Sequence, residues 1–136
     1  MNKFIEYVGI DKLSTYKVKS NYINYHFEAT LEFEEDFKNA DITKIHLNLT
    51  TESIKNIEVK NLSFCTIKID ISLEYLDENK FNTMLLKKLT FYKSFFIKNS
   101  IGYLLKLHNI ITDARLFEIT KTRYYIYLNI CSIEKQ

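Results

Sequence analysis

Proline is absent from the 136 residues, and glycine occurs only at Gly9 and Gly102. Turns must therefore be built from Asn, Asp, Ser and Lys clusters, of which the chain has many. Two isolated glycines also exclude a glycine-rich phosphate cradle, and there is no nucleophile elbow. Cysteine appears only at Cys65 and Cys131, too few for a disulfide framework and far too widely spaced for a CxxC metal or redox motif. No apolar run reaches the length of a membrane span, so none is expected. Asn2-Lys3 leads into a segment carrying Glu6 and Asp11, which is not a secretory signal pattern. Charge of either sign is not in excess: 19 basic and 17 acidic residues leave a net +2. That balance gives little attraction toward nucleic acid or an anionic membrane.

What is present is alternation. Cys65, Ile67, Ile69, Ile71, Leu73 and Tyr75 take one parity, and Thr66, Lys68, Asp70, Ser72 and Glu74 take the other. Successive side chains of a strand point to opposite faces, so this run has one dry and one wet face. Such a strand belongs to a sheet packed on one side only. Phe27, Ala29, Leu31 and Phe33 alternate with Glu28, Thr30, Glu32 and Glu34 in the same way, ending at the acidic turn Glu34-Glu35-Asp36. Further strands are expected at Phe4–Val8, within the tyrosine-rich stretch Thr15–Tyr25, at Lys44–Leu49, and over Leu89–Ile97, where Lys93 interrupts the apolar parity. Asn99-Ser100, followed by Gly102, breaks that run. Leu105 and Leu107 lead to His108-Asn109, and Leu116–Ile119 and Tyr124–Ile130 close the chain. Thr51–Asn56 reads as a turn or a single helical loop, Ile57 and Val59 as the start of the central strand, and Asp77–Lys80 as a polar turn. Met84–Leu89 is the one stretch compatible with a short helix. The expected fold is a single all-β domain over residues 1–136, an antiparallel β-sandwich of about eight strands.

Chemistry is harder to find. His26, His46 and His108 stand apart, so neither a metal nor another cofactor is expected. No nucleophile, base and oxyanion-hole grouping is legible, so the chain is not expected to be an enzyme. Tyr16, Lys17, Lys19, Tyr22 and Tyr25 mix aromatics with cations, as do Arg123, Tyr124, Tyr125 and Tyr127. A small β-barrel that stacks nucleic-acid bases uses such a mixture, which makes a nucleic-acid module the alternative function. Tyrosine is equally at home on any half-buried pleated surface. Cys65 falls on a dry parity. Cys131 shares a parity with Tyr125, Tyr127 and Asn129, opposite to Ile126, Leu128 and Ile130, and is expected to be reachable from outside. The uncharged run Tyr124–Ile130 would be core in a central strand and a template for strand addition at an edge.

The ordered segments resemble the SPOCS domain of clostridial and related spore-formers, in its small stand-alone form. Phe4-Ile5-Glu6-Tyr7-Val8-Gly9-Ile10 is similar to its aromatic/Gly opening. Ala40-Asp41-Ile42-Thr43-Lys44-Ile45 is similar to a Pro-Asp-Ile-x-x-Ile motif, with Ala40 in place of Pro. Ile69–Tyr75 resembles the family's long strand, without its usual Gly. Thr90-Phe91-Tyr92-Lys93-Ser94-Phe95 echoes a Pro-Phe-Ser-x-Phe segment, again without the Pro. Ile111-Thr112-Asp113 resembles an Ile-Glu-Asp motif, and Thr122–Ile130 the closing strand. The likeness spans nearly the whole chain. It implies a non-catalytic structural or adaptor role in coat or exosporium assembly, with self-contact or contact with other envelope proteins and no nucleic acid. It also implies synthesis in the mother-cell cytoplasm followed by deposition at the spore surface. No LysM-like region is legible, so peptidoglycan binding is not carried over. Asp41, Ile42, Ile45, Tyr75, Phe91 and Asp113 are the fold-signature positions on this reading, with Asp41 and Asp113 holding turns through side-chain to backbone bonds. Contact is expected at Tyr22, Tyr25, Tyr125, Tyr127 and Cys131, with Cys131 able to cross-link neighbours in an oxidised envelope.

Overall fold

A computed structural model describes residues 5–11, 22–33, 41–57, 61–76, 83–85, 88–98 and 106–134. They form eight strands: β1 (Glu6–Val8), β2 (Tyr22–Glu32), β3 (Asp41–Ile57), β4 (Leu62–Leu76), β5 (Thr83–Leu85), β6 (Leu89–Lys98), β7 (Leu107–Glu118) and β8 (Arg123–Glu134). One sheet runs β1-β3-β4, with β6 and β5 sharing the far side of β4; the other runs β2-β8-β7. This is the all-β sandwich expected from the alternation. The pairs are antiparallel except β1, which lies parallel to β3.

The central alternation becomes β4, with Cys65, Ile67, Ile69, Ile71 and Leu73 sealed inside. Facing them from the second sheet are Leu31, Ile111, Ala114, Ile126, Leu128 and Ile130. Each such aliphatic side chain contributes roughly 1.5–3 kcal/mol by leaving water.

Three bulges set what the alternation could not show. Register shifts fall between Ile42 and Lys44, between Thr51 and Ser53, and between Ile111 and Asp113. Each inserts a residue and reverses the parity beyond it. Ile45, Leu47 and Leu49 point inward at odd positions, whereas Ile54, opposite Cys65, does so at an even one. Thr51–Asn56 is thus neither turn nor helical loop but the continuation of β3, and Ile57 ends that strand instead of opening the next. Asn61 turns the chain into β4 at φ 52°, a left-handed conformation that asparagine tolerates where glycine is scarce. The short helix allowed for Met84–Leu89 is replaced by strand: Met84 and Leu85 lie in β5 and Leu89 opens β6. β6 covers β4 only from Leu62 to Ile71, and β5 pairs with the remaining Glu74–Leu76. The stretch 12–21 of the tyrosine-rich region, Val59, the turns at Glu34–Asp36, Asp77–Lys80 and Asn99-Ser100, Gly102 and Leu105 lie outside the described residues.

The two sheets are tied differently at their two flanks. At one, the rings of Tyr25 and Phe95 (centroids 4.6 Å apart) and of Phe27 and Phe91 (5.2 Å) join β2 to β6. At the other, the N-terminal segment passes from sheet to sheet. Tyr7 pairs with Ile45 in the first sheet, and its hydroxyl accepts a bond from the Leu116 amide of the second at 2.9 Å. Three residues on, Ile10 bridges Ile111, and the Asp11 amide donates to the Ile111 carbonyl at 2.8 Å. Gly9 makes the step between them at φ 109°, with its α-carbon so close to Leu47 that a β-carbon would strike the Leu47 carbonyl oxygen. Gly9 is therefore required both by conformation and by space.

Gly9→Ala should destabilise the fold by about 2 kcal/mol or more, through strain and the displaced strand. Tyr7→Phe should cost about 1 kcal/mol, by leaving the Leu116 amide without its acceptor. Chemical denaturation with unchanged slope measures both; a Gly9→Ala variant as stable as the parent would contradict the close approach.

Candidate protein-contact surface

The outer side of the second sheet gathers aromatics from three strands. Alternation along β8 turns Tyr125, Tyr127 and Asn129 away from the core while Tyr124, Ile126 and Leu128 face it. The bulge at Thr112 puts Arg115 and Phe117 of β7 on the same outer side, beside Tyr127 and Tyr125 respectively. From β2 come Tyr22, His26, Glu28 and Thr30. Phe117 and Tyr125 lie 6.2 Å apart between ring centroids, and the His26 imidazole stacks on Tyr127 at 5.7 Å and 16°. The Tyr127 hydroxyl donates to Asn129 Oδ1 at 2.9 Å. Phe117 is 49% exposed and Tyr22 51%.

The charges around this patch are largely spent on each other. Arg123 meets Glu32 at 2.7 Å, directly across the β2–β8 pairing, and Arg115 meets Asp113 at 3.4 Å. His26 lies 3.9 Å from Glu28. Partial desolvation, then the hydrogen bond and charge of Glu28, push the Tyr125 phenol above its usual range. It stays protonated and able to donate.

Placement of the expected contact residues is mixed. Tyr22, Tyr125 and Tyr127 stand on the outer side. Tyr25 does not: it shares the inward parity of Phe27, Ala29 and Leu31, and its ring packs on Phe95. Cys131 has the outer parity but is fully buried, with Ile110 and Ile133, in a second small apolar cluster. The expected reachable thiol is therefore corrected, and with it the accessible cross-link. Phe117 was missed because the bulge at Thr112 reverses the parity of β7. Tyr92 and Phe96, exposed on the outer side of the first sheet with Phe96 5.0 Å from Phe64, were legible as the residues between Phe91, Phe95 and Ile97.

The signature positions fall in three places. Asp41, Ile42 and Ile45 open β3, and Ile42 pairs with Tyr75 at the end of β4, so one corner of the first sheet holds them together. Phe91 fills the flank against Phe27. Asp113 does not hold a turn. It lies within β7, directly after the bulge, and its carboxylate faces Arg115; Thr112 itself donates to the Asn129 carbonyl at 3.3 Å.

Inside, one polar chain crosses the sandwich. Ser132 Oγ donates to Asn109 Oδ1 at 2.6 Å, and Asn109 Nδ2 donates to Thr51 Oγ1 at 2.9 Å. The single Ser132 proton is thereby committed, so the Tyr25 hydroxyl, 2.9 Å away, must donate to Ser132. Desolvation raises the Tyr25 phenol far above its usual value, the bond to Ser132 opposing it only in part. Burial likewise pushes the Cys65 thiol up to about 11 and the Cys131 thiol upward. Thiols held protonated are poor nucleophiles and poor metal ligands. Among the described residues no group of three or more His, Cys, Asp and Glu is placed to hold a metal ion, and no helix is long and apolar enough to cross a membrane.

An aromatic disulfide reagent at about pH 8 should label neither cysteine until denaturant is added; prompt labelling of the native protein would contradict the burial of Cys131. Because the folded thiols ionise above their unfolded value of 9.0, unfolding free energy should hold steady below that pH and fall as pH rises toward about 11. Urea melts across that interval measure it, and stability rising with pH would contradict the assignment.

No family model, no curated protein and no solved structure matches this chain.

Proposed function

We propose that the protein is a non-catalytic structural or adaptor component of a bacterial spore envelope, in coat or exosporium, that works by protein–protein contact through the outer side of the β2-β8-β7 sheet. The observation that carries the contact reading is the aromatic patch of Tyr125, Tyr127, Phe117 and His26, laid out on a regular sheet and rimmed by paired charges. Aromatics at the centre and polar groups at the rim are the composition of protein interfaces. The spore setting rests on the likeness of the ordered segments to the SPOCS domain. Synthesis in the mother cell followed by deposition at the spore surface belongs to the same reading, as do partners drawn from the envelope or from further copies of the chain.

The nucleic-acid alternative is less well served. Base-stacking surfaces need cations free for phosphate. Of the mixture at Arg123, Tyr124, Tyr125 and Tyr127, Arg123 is engaged by Glu32 and Tyr124 is buried in the core. The other mixture contributes Tyr22, outward, and Tyr25, inward; Tyr16, Lys17 and Lys19 lie outside the described residues. Catalysis by thiol is disfavoured by burial at both cysteines.

A fluorescent fusion expressed in a sporulating bacterium should ring the developing spore. The Tyr125→Ala/Tyr127→Ala/Phe117→Ala variant should keep the parent's circular-dichroism spectrum yet spread through the mother cell. A diffuse parent fusion would overturn the spore reading, and a variant that still rings the spore would overturn the surface.

A further inference from the structure

The four outer strand margins of the sandwich are not equivalent. β7 is engaged by the N-terminal segment at Ile111 and Leu116. β1 closes part of β3. β6 carries Lys93 on its inward parity, between Phe91 and Phe95 and opposite Ile67. An inward-pointing lysine on an edge strand is a recognised guard against pairing with another chain. β2 has no such guard. It pairs with β8 over eleven residues without a register shift, and its inward side chains Ile23, Tyr25, Phe27, Ala29 and Leu31 carry no charge. Among the described residues nothing pairs with its other margin.

The sequence of β2 is also complementary to itself. An antiparallel pair related by a two-fold axis must set like faces together, which allows the axis only at a residue, not between two. With the axis at Phe27, Ile23 of one copy opposes Leu31 of the other and Tyr25 opposes Ala29. On the outer side His26 opposes Glu28, twice by symmetry, Asn24 opposes Thr30, and Tyr22 opposes Glu32. Moving the axis to Glu28 sets two carboxylates face to face, which is destabilising. Moving it to His26 sets two imidazoles face to face and leaves Glu28 opposite Asn24. Of these three axes, the one at Phe27 alone sets an imidazole opposite a carboxylate and keeps all eleven residues of β2 paired; an axis at Ala29 would set His26 opposite Glu32 but carries Tyr22–Tyr25 past the end of the strand.

We propose that the free margin of β2 takes β2 of a second copy of this chain, antiparallel and centred on Phe27, to make a continuous six-stranded sheet. The main chain supplies the attraction, as in other strand-addition contacts, and the His26–Glu28 pairs fix the register. Lys93 keeps the two β6 margins apart, so only the second sheets join. The contact borders the outer aromatic patch, sharing His26 with it, and does not depend on the spore reading.

Sedimentation of the full chain across micromolar concentrations should give twice the 16.3 kDa chain mass. Glu28→Lys, which sets a cation opposite His26, should weaken the dimer by about tenfold or more. Adding His26→Glu to it sets a carboxylate opposite the new lysine and should restore the dimer. Under mild oxidation the His26→Cys/Glu28→Cys variant should form a reducible covalent dimer, and Tyr22→Cys/Thr30→Cys, which tests the axis at His26, should not. Circular dichroism distinguishes loss of pairing from loss of fold. Phe117→Ala, on β7 and away from β2, should leave the dimer intact, which separates this contact from the rest of the aromatic patch. A parent that stays monomeric, no rescue by the double charge exchange, or equal cross-linking of the two cysteine variants would overturn the proposal.

Discussion

Ile67, Ile69, Ile71 and Leu73 form a dry column down one side of β4, and the remainder of the sandwich is organised by the need to keep it dry. β3 and β6 flank the column within its own sheet, β5 lengthens the cover beyond the end of β6, and β8 lies across it with Ile126, Leu128 and Ile130. Branched aliphatics suit that position because they fill a pleated surface with little rotamer freedom to lose. A polar side chain admitted to the column would need a partner that no neighbouring residue there supplies. The polar chain from Tyr25 to Thr51 sits instead at one end, where hydroxyl and amide groups from both sheets satisfy one another in sequence. A fully satisfied network of that kind adds a directional tie between layers that are otherwise held by non-directional burial.

How much of this was legible depends on whether a strand keeps its phase. β2, β4, β6 and β8 run without a bulge, and their alternation in the sequence predicts both their existence and their inward residues. β3 and β7 do not keep phase. β3 loses it twice, at Thr43 and Glu52, and β7 once, at Thr112, and nothing in a β-period template marks any of the three as the extra residue. Thr51–Asn56 therefore looked like a break, and Phe117 was assigned no role. Tyr25 differs, since its parity with Phe27 and Leu31 is readable in the sequence but competes with its place in the aromatic–cation mixture beside Tyr22. Cys131 was placed on the correct side of its strand. Its burial depends on what packs over that end of the sheet, and a strand's own pattern does not carry that information. The signature segments Asp41–Ile45 and Tyr75, distant in sequence, fall side by side because β3 and β4 pair over nearly their full length.

The two outer surfaces differ in how they hold charge. On the first sheet, Glu74 meets His46 at 2.6 Å, Lys44 meets Glu6 at 3.4 Å, and Asp70, almost buried, takes a hydroxyl bond from Thr90 at 2.9 Å with Lys88 at 3.8 Å. The first pairs lie beside β1 and the Asp70 group on the β4–β6 side, while Phe64 and Phe96 occupy the end where β3 and β4 join, with Tyr92, opposite Lys68, between. On the second sheet, ionic and aromatic groups are interleaved across all three strands. Exposed ion pairs such as these contribute little to stability, so their value lies in setting which surfaces repel and which accept a neighbour.

The junction made by the N-terminal segment also governs when the molecule can be completed. Tyr7 bonds to a residue 109 positions later, and Tyr25 bonds to one 107 positions later. β2 has no described partner until β8, the final strand, has left the ribosome. Contacts of such long range are slow to form, because the loop they close must be paid in entropy before burial rewards it. During translation, then, β2 waits with its apolar side uncovered by the strand it will pair with, and the second sheet is assembled only once β8 has emerged.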